Sequence, residues 1–449
     1  MSDDDTAEEK CKLESSVETE TVYEFDVKII TDKGASSFKK SEVYYNKDLS
    51  LNRAIVTTAL AAYKKMGTSA MNPIQCLDGI GTTGICGLLW QKYIGDGIKV
   101  DIVTHSSKAC DRILENAKLN NLTVNVCKVD TCVQLHQHAY NFISLNCHTG
   151  AARHFDSIFR NLPKSGIIAI TTTDDATLYG ITPEIALRNY GGVIARTMYS
   201  KELAIRLFTA AMARAAARYN KGLRMLFCVS LKSSFTVVAT VERGATHANT
   251  SLSQISRLVH CNMCEDRAFY PLSKFPVENP SSLLECGCPS KFTGKIAIEL
   301  GPVWSGELFD VAFLNAMLNE CKQLPWSHRA GVLLQQIICE AKCSTSGSEN
   351  VPPVMQDKAD KGDSNVGTPP AKRMKLDDLA NITPPFYYNL HRHAPKGPQL
   401  IRLDKAVQCL QRAGFRASRT HFDPEAVKTN ASLKELKEVL MDYSKCCTK

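Results

Sequence analysis

Five short apolar runs between residues 76 and 174 each end on a polar residue, with helical text between them. The first, Cys76-Leu77-Asp78, leads into Gly79-Ile80-Gly81-Thr82-Thr83-Gly84 and a helical stretch reaching Trp90. Val100–Val103, residues 122–129, Phe142–Leu145 and Gly166–Thr173 read as four further strands, with helices over Ser107–Leu119 and Ser157–Leu162. Strands alternating with helices at this spacing close as parallel βαβ units, so the pattern predicts a doubly wound α/β sheet. Functional groups in such a sheet collect just past the carboxyl ends of its strands. That rule selects Asp78, Thr104, Asp130, Asn146 and Asp174. A polar residue there is also an ordinary helix cap, so position marks candidates without giving them roles.

The turn after the first strand has the spacing Gly79-x-Gly81-x-x-Gly84. Glycines admit positive φ and close approach of a ligand, and the N–H groups of a helix starting near Thr83 face the same spot. Asp78 can accept a hydrogen bond from an amine or hydroxyl. The stretch reads as a cradle for a nucleotide-like cofactor, with a tight strand-to-helix turn holding nothing as the equal alternative. Upstream, Arg53 stands at the entrance of a helix over Ala54–Lys65. It is either a surface cation or a carboxylate clamp, since guanidinium forks onto carboxylates.

A length of 449 residues suggests two or three domains. Residues 1–20 are acidic and polar and read as a disordered tail, and 21–250 hold the sheet domain. Residues 251–343 and 383–449 make a smaller α+β part, interrupted at 344–382 by a Ser-, Gly-, Pro- and Lys-rich linker that also reads as disordered. Thr21–Ile30 alternates like a strand, and Leu226–Val241 reads as two strands closing the sheet antiparallel. Over Lys201–Tyr219, Arg206, Arg214 and Arg218 share one helix face. That row reads as solvated, with phosphate contact as the alternative.

Eighteen cysteines without a secretory leader point to intracellular thiols or metal ligands rather than a disulfide framework. Cys261-x-x-Cys264 and Cys286-x-Cys288 suit a tetrahedral four-cysteine Zn²⁺ site, with four free thiols as the bland reading. No uncharged apolar run is long enough to span a bilayer, so a membrane location is not expected. A net charge of +8 permits a polyanionic partner. Arg392, Arg416, Arg419 and Lys428, interleaved with His391, His393, Phe415 and His421, suit RNA backbone contact and base stacking. Lys372-Arg373-Met374-Lys375, flanked by prolines, reads as a nuclear address.

These blocks together resemble the tRNA (guanine(26)-N2)-dimethyltransferases, and among them most the metazoan branch called the "like" form. The resemblance runs from about Val43 to Ser432. It rests on Tyr44-Tyr45-Asn46 with Asn52-Arg53, Asp78 to Gly84, Thr171-x-Thr173-Asp174, the Arg-rich helix after Tyr199, the cysteine pairs, Gly301-Pro302-x-Trp304, Ser418-Arg419-Thr420-His421 and Val427 to Ala431. It implies a Rossmann-like class I methyltransferase domain with a family-specific C-terminal domain, S-adenosylmethionine as donor and tRNA as substrate. It also implies that Arg53 holds the donor's carboxylate, Asp78 its amino group and Asp130 its adenine amine, with Gly79, Gly81 and Gly84 in the cradle. Where the resemblance calls for Asp-Pro-aromatic after the fourth strand, this chain has Asn146-Cys147-His148. Thr104 or His105 replaces the acid that grips the ribose, Cys86 replaces an arginine, and Ala54 replaces an aspartate. An amide oxygen still accepts a hydrogen bond, so Asn146 and His148 are the expected catalytic pair. A tRNA-binding pseudoenzyme with the same fold is the competing expectation.

Overall fold

The structure, a computed structural model, describes residues 18–37, 39–67, 73–272, 279–345, 383–393 and 401–447, with side chains to residue 442. The basic run Lys372–Lys375 and the tail before residue 18 lie outside them. The chain opens with a hairpin, β1 (Thr19–Glu24) and β2 (Val27–Asp32), turned through Phe25 and Asp26 in left-handed conformations. The single strand read over Thr21–Ile30 is therefore two, because the turn carries no glycine or asparagine to announce it.

The central sheet follows: β3 (Ile74–Asp78), β4 (Ile98–Thr104), β5 (Asn125–Lys128), β6 (Phe142–Cys147), β7 (Ile167–Thr172), β8 (Lys221–Leu231) and β9 (Ser234–Arg243). Their order is β5-β4-β3-β6-β7-β9-β8. The first five are parallel, and β9 runs antiparallel to both β7 and β8. Strand order reverses between β3 and β6, which opens a crevice at their carboxyl ends. The predicted doubly wound sheet is present, with its strand boundaries moved by a few residues.

One sheet face is covered by the helix Ser50–Lys65, which buries eleven of its sixteen residues. The helices Val311–Cys321 and Ser327–Lys342, which follow the second sheet in sequence, pack back onto the same helix. Trp326 Nε1 donates to Thr58 Oγ1 at 2.9 Å, and its ring meets Phe25 and Tyr93 edge-on. The other face takes Ser200–Ala217, which is buried nearly all round. Arg206 belongs to that burial. It is 2% exposed, pairs with Glu202, and donates to the carbonyls of Trp304 (2.9 Å) and Gly306 (3.1 Å). Arg214 bonds to the carbonyl of Tyr190, and only Arg218 sits outside, paired with Asp156. The row read as solvated is mostly an internal one, because an i, i+4 pair of opposite charges lets a helix bury its arginine.

A helix over Ala245–Ser253 crosses position 250, and the second sheet begins at β10 (Ile255–Cys261), with β11 (Arg267–Pro271) and β12 (Ala297–Trp304) in the order β11-β10-β12. The C-terminal unit holds β13 (Tyr388–Asn389), β14 (Ala417–Arg419) and β15 (Ala426–Thr429) in the order β13-β15-β14, with helices over Leu403–Arg412 and Leu433–Cys447. This is the expected smaller α+β part. Among the described residues no helix is long and apolar enough to cross a membrane.

A knot of buried charge ties this unit to the rest. Lys428 Nζ lies 2.8 Å from Glu202 Oε2 and 3.3 Å from Glu340 Oε1, and all three side chains are at most 1% exposed. Glu202 also accepts from Phe386 N at 2.8 Å, and Glu340 from Thr420 Oγ1, His421 N and His421 Nδ1 at 2.7–2.9 Å. Since a carboxylate only accepts, His421 carries its proton on Nδ1. Lys428 cannot meet an RNA phosphate, which corrects the expectation placed on it. Its basic character reads as surface because its acidic partners lie far away in sequence.

Candidate active site

A narrow cleft of about 380 Å³, counted to its open mouth, lies at the β3–β6 crevice. Tyr44, Tyr45, Asn46, Arg53, Asp78, the turn from Ile80 to Cys86, and Asn146 line it. The sequence candidates Arg53, Asp78, Gly81, Gly84 and Asn146 are thus brought together.

The glycines earn their places chiefly by packing. A Cβ on Gly79 would stand 2.3 Å from Leu145, one on Gly81 2.5 Å from Ile102, and one on Gly84 2.8 Å from Ile113. These obstacles are the protein's own core, not ligand space. Gly84 alone of the three has positive φ (+78°), and it caps the helix Ile85–Tyr93. The turn also holds one unpartnered polar group: Thr83 Oγ1 is buried and makes no hydrogen bond among the described residues.

Asp78 ends β3 at 3% exposure and accepts from Gly87 N at 3.2 Å. Burial pushes its carboxyl up to about 6, against the opposing pull of the Gly87 N–H and Arg53. Cys86 sits between these charges, and burial with Asp78 keeps its thiol protonated. Arg53 is buried and already engaged. Its Nε donates to Glu24 Oε1 at 2.8 Å, Nη2 bonds Glu24 Oε2 and the carbonyl of Asn46, and its guanidinium lies 5.1 Å from the Tyr45 ring centre. Glu24, at the hairpin turn, escaped sequence reading because only the fold brings β1 over Arg53.

The strand-end candidates differ in fate. Asp130 caps the helix Thr131–Gln137, its Oδ1 accepting from Cys132 N (2.8 Å) and Val133 N (3.3 Å), while its side chain stays exposed. Thr104 does not line the cleft. It is 5% exposed and its hydroxyl accepts from Ser106 N at 3.4 Å, which corrects its assignment as a cofactor contact. At the same strand end Ser106 Oγ donates to the carboxylate of Glu42, another residue the sequence gave no reason to choose.

Asn146 pairs with Thr171 across β6 and β7 and faces both the cleft and a smaller cavity shared with Asn52 and Ser144. Beneath it Asn52 Nδ2 donates to Thr236 Oγ1, which lies 2.8 Å from Thr171 Oγ1. His148 is exposed just past the end of β6 and is not among the residues lining the cleft, with Nδ1 2.7 Å from Thr173 Oγ1, whose hydroxyl reaches the His148 carbonyl at 3.3 Å.

Away from the cleft, the thiol sulfurs of Cys261, Cys264, Cys286 and Cys288 all lie within 4.8 Å of one another. Buried Asp266 fixes the second pair by accepting from Glu285 N (2.7 Å) and Cys286 N (2.9 Å). Of the other cations, Arg419 is half exposed and pairs with Asp404, Arg392 stands 3.8 Å from Glu265, and Arg416 is half-buried.

A family model described as N2,N2-dimethylguanosine tRNA methyltransferase matches residues 22–345 and 372–441. A tRNA (guanine(27)-N(2))-dimethyltransferase of Bos taurus is 37% identical over 90% of this chain and 60% of its own length. The Homo sapiens protein of the same name is 36% identical over 95% and 64%. This chain therefore spans less than two thirds of those two relatives. A tRNA (guanine(26)-N(2))-dimethyltransferase of Methanothermobacter thermautotrophicus is 24% identical over 94% of the chain and 98% of its own. The fold matches that of Trm1 from Pyrococcus horikoshii, solved with S-adenosyl-L-methionine, with a TM-score of 0.72 at 21% identity, covering 94% of this chain and 99% of that one. With sheet, cleft and four-cysteine cluster in one chain and the family match running through nearly all of it, the protein belongs to the N2,N2-dimethylguanosine tRNA methyltransferase family.

Proposed function

We propose that the chain transfers methyl groups from S-adenosylmethionine to the exocyclic N2 of a guanosine in tRNA, at position 27. The observation that carries this reading is the cleft at the sheet's switch point, which Asp78, Thr83 with its unpartnered buried hydroxyl, and Asn146 line together. The position follows the relatives named for guanine 27, which are more similar to this chain than the archaeal ones named for guanine 26.

The residues present fit the donor. Asp78 suits its amino group and the Asp130 oxygen not used in capping suits the adenine amine, while Arg53, with Nε and Nη2 taken by Glu24 and Asn46, has its Nη1 edge left for the carboxylate. When bound, S-adenosylmethionine supplies an activated methyl group. The chain's own task is to aim the amine, whose lone pair is delocalised into the base. Asn146 Oδ1 can accept one amine proton and so orient the nitrogen, but an amide is no base. The imidazole of His148 can take the departing proton and lie against the base. Arg392, Arg416 and Arg419 are the C-terminal cations left to meet the RNA backbone. The reading is tested with labelled donor and a tRNA transcript, followed by mass spectrometry of the nucleosides. Dimethylguanosine at position 27, lost when that guanosine and its pairing partner are exchanged for another pair, is the expected result. No incorporation into any transcript would leave only the RNA-binding alternative.

We also infer that the four cysteines hold one Zn²⁺. Tetrahedral Zn–S bonds of about 2.3 Å place sulfurs just under 4 Å apart, a small contraction of the present cluster. Purified protein should then carry about one zinc per chain. The Cys264→Ser variant should lose the metal and, with it, part of its thermal stability, because structural zinc binding is folding free energy. Retention of metal by that variant would contradict the four-cysteine assignment.

A further inference from the structure

A nucleoside bound at the switch point of a doubly wound sheet usually presents its ribose hydroxyls to a carboxylate past the second strand. Here that strand is β4, and Thr104-His105-Ser106 offers none. A carboxylate nevertheless stands at this strand end. It belongs to Glu42, sixty-four residues earlier than the Ser106 it bonds. The Ser106 hydroxyl accepts from Ala109 N at 3.2 Å as the cap of the helix Ser107–Leu119, so its single proton is the one given to Glu42.

Glu42 rides on a strap, residues 39–46, that the structure pins on both sides. Asp32 N donates to the Val43 carbonyl at 3.3 Å and Tyr45 N to that of Ala35 at 3.0 Å. Thr82 Oγ1, in the glycine turn itself, donates to the Tyr44 carbonyl at 3.0 Å. Asp32 is held in turn by Ser41 and by Lys108 at 2.7 Å. The strap therefore crosses the cleft wall at Tyr44–Asn46 and, two residues earlier, sets a carboxylate at the end of β4. Glu42 is exposed, and the hydrogen bond it accepts comes from the Ser106 hydroxyl.

We propose that Glu42 is the ribose-binding carboxylate of the cleft, delivered by the strap in place of the strand end. The proposal rests on the reading that S-adenosylmethionine binds here. It is tested by calorimetric titration of the full chain with S-adenosylhomocysteine and with its 2′-deoxy and 3′-deoxy forms. Glu42→Gln should weaken the parent ligand about tenfold and leave the affinity of the form lacking the contacted hydroxyl unchanged. Glu42→Asp should recover part of the loss, and melting temperatures should match the wild type. Unchanged affinity in Glu42→Gln, or equal loss for all three ligands, would overturn the assignment while leaving the cofactor reading intact. A wild-type chain that binds none of them would overturn the cofactor reading and this proposal with it.

Discussion

Replacing Lys428 with methionine should cost the chain about 3–5 kcal/mol of stability, the effect of stripping one partner from a buried ion network. The substitution keeps the length of the side chain and removes the charge that Glu202 and Glu340 share. Arg206 and His421 still face those carboxylates, so the loss should fall short of that for two bare charges. Denaturant unfolding of both proteins measures it, and a difference below about 1 kcal/mol would mean the knot is no tighter than a surface pair. The same network gives an acid limit. Burial would raise the Glu340 carboxyl, but His421 and Lys428 outweigh it and hold the group at about 2, below its ordinary 4.5. A depressed carboxyl contributes stability that is complete above about pH 4.5 and is lost as pH falls from there through about 2. Methionine at 428 should shift the onset of acid unfolding to higher pH.

The second large effect is expected at Asn146. Asn146→Leu keeps the bulk and deletes the acceptor, and methyl transfer should fall about 100-fold, the usual cost of a misaimed reacting atom. Asn146→Asp should act in the opposite direction. A carboxylate accepts more strongly than an amide by about 1 kcal/mol or more, or roughly tenfold in rate. Single-turnover transfer into tRNA, measured with donor at saturation, separates both from changes in binding. A faster leucine variant would remove Asn146 from the chemistry. A slower aspartate variant would show that the site is adapted to a neutral acceptor, with His148 Nε2 doing more than the amide.

The sheet was legible because periodicity is local: each strand and helix from β3 to β7 carries its own pattern, and strand ends announce themselves by polarity. The same reasoning found Asp78 and Asn146. It failed where a charge is defined by what covers it. Arg206 and Lys428 are written like solvent-facing cations, yet Glu202 neutralises both, and it lies 226 residues from Lys428. Glu24 and Glu42 were invisible for the converse reason. Each is an acid in an unremarked stretch, and only the docking of hairpin and strap brings it to Arg53 or Ser106. Thr104 misled because its strand-end position is right while its hydroxyl is spent on the backbone. Asp130 bears out the capping reading, one oxygen accepting from the first N–H groups of its helix.

The pairing of Arg53 with Glu24 has a bearing on turnover. With Arg53 paired to Glu24, the acid of the cleft wall without an ion-pair partner among the described residues is Asp78, and its carboxylate form makes the wall anionic. On the proposed chemistry the ligand that enters carries a net positive charge on its sulfonium, and the one that leaves carries none. An anionic wall holds the first more strongly than the second. On that chemistry the hairpin would set an electrostatic bias toward discharge of spent donor, using a segment that lies outside the central sheet.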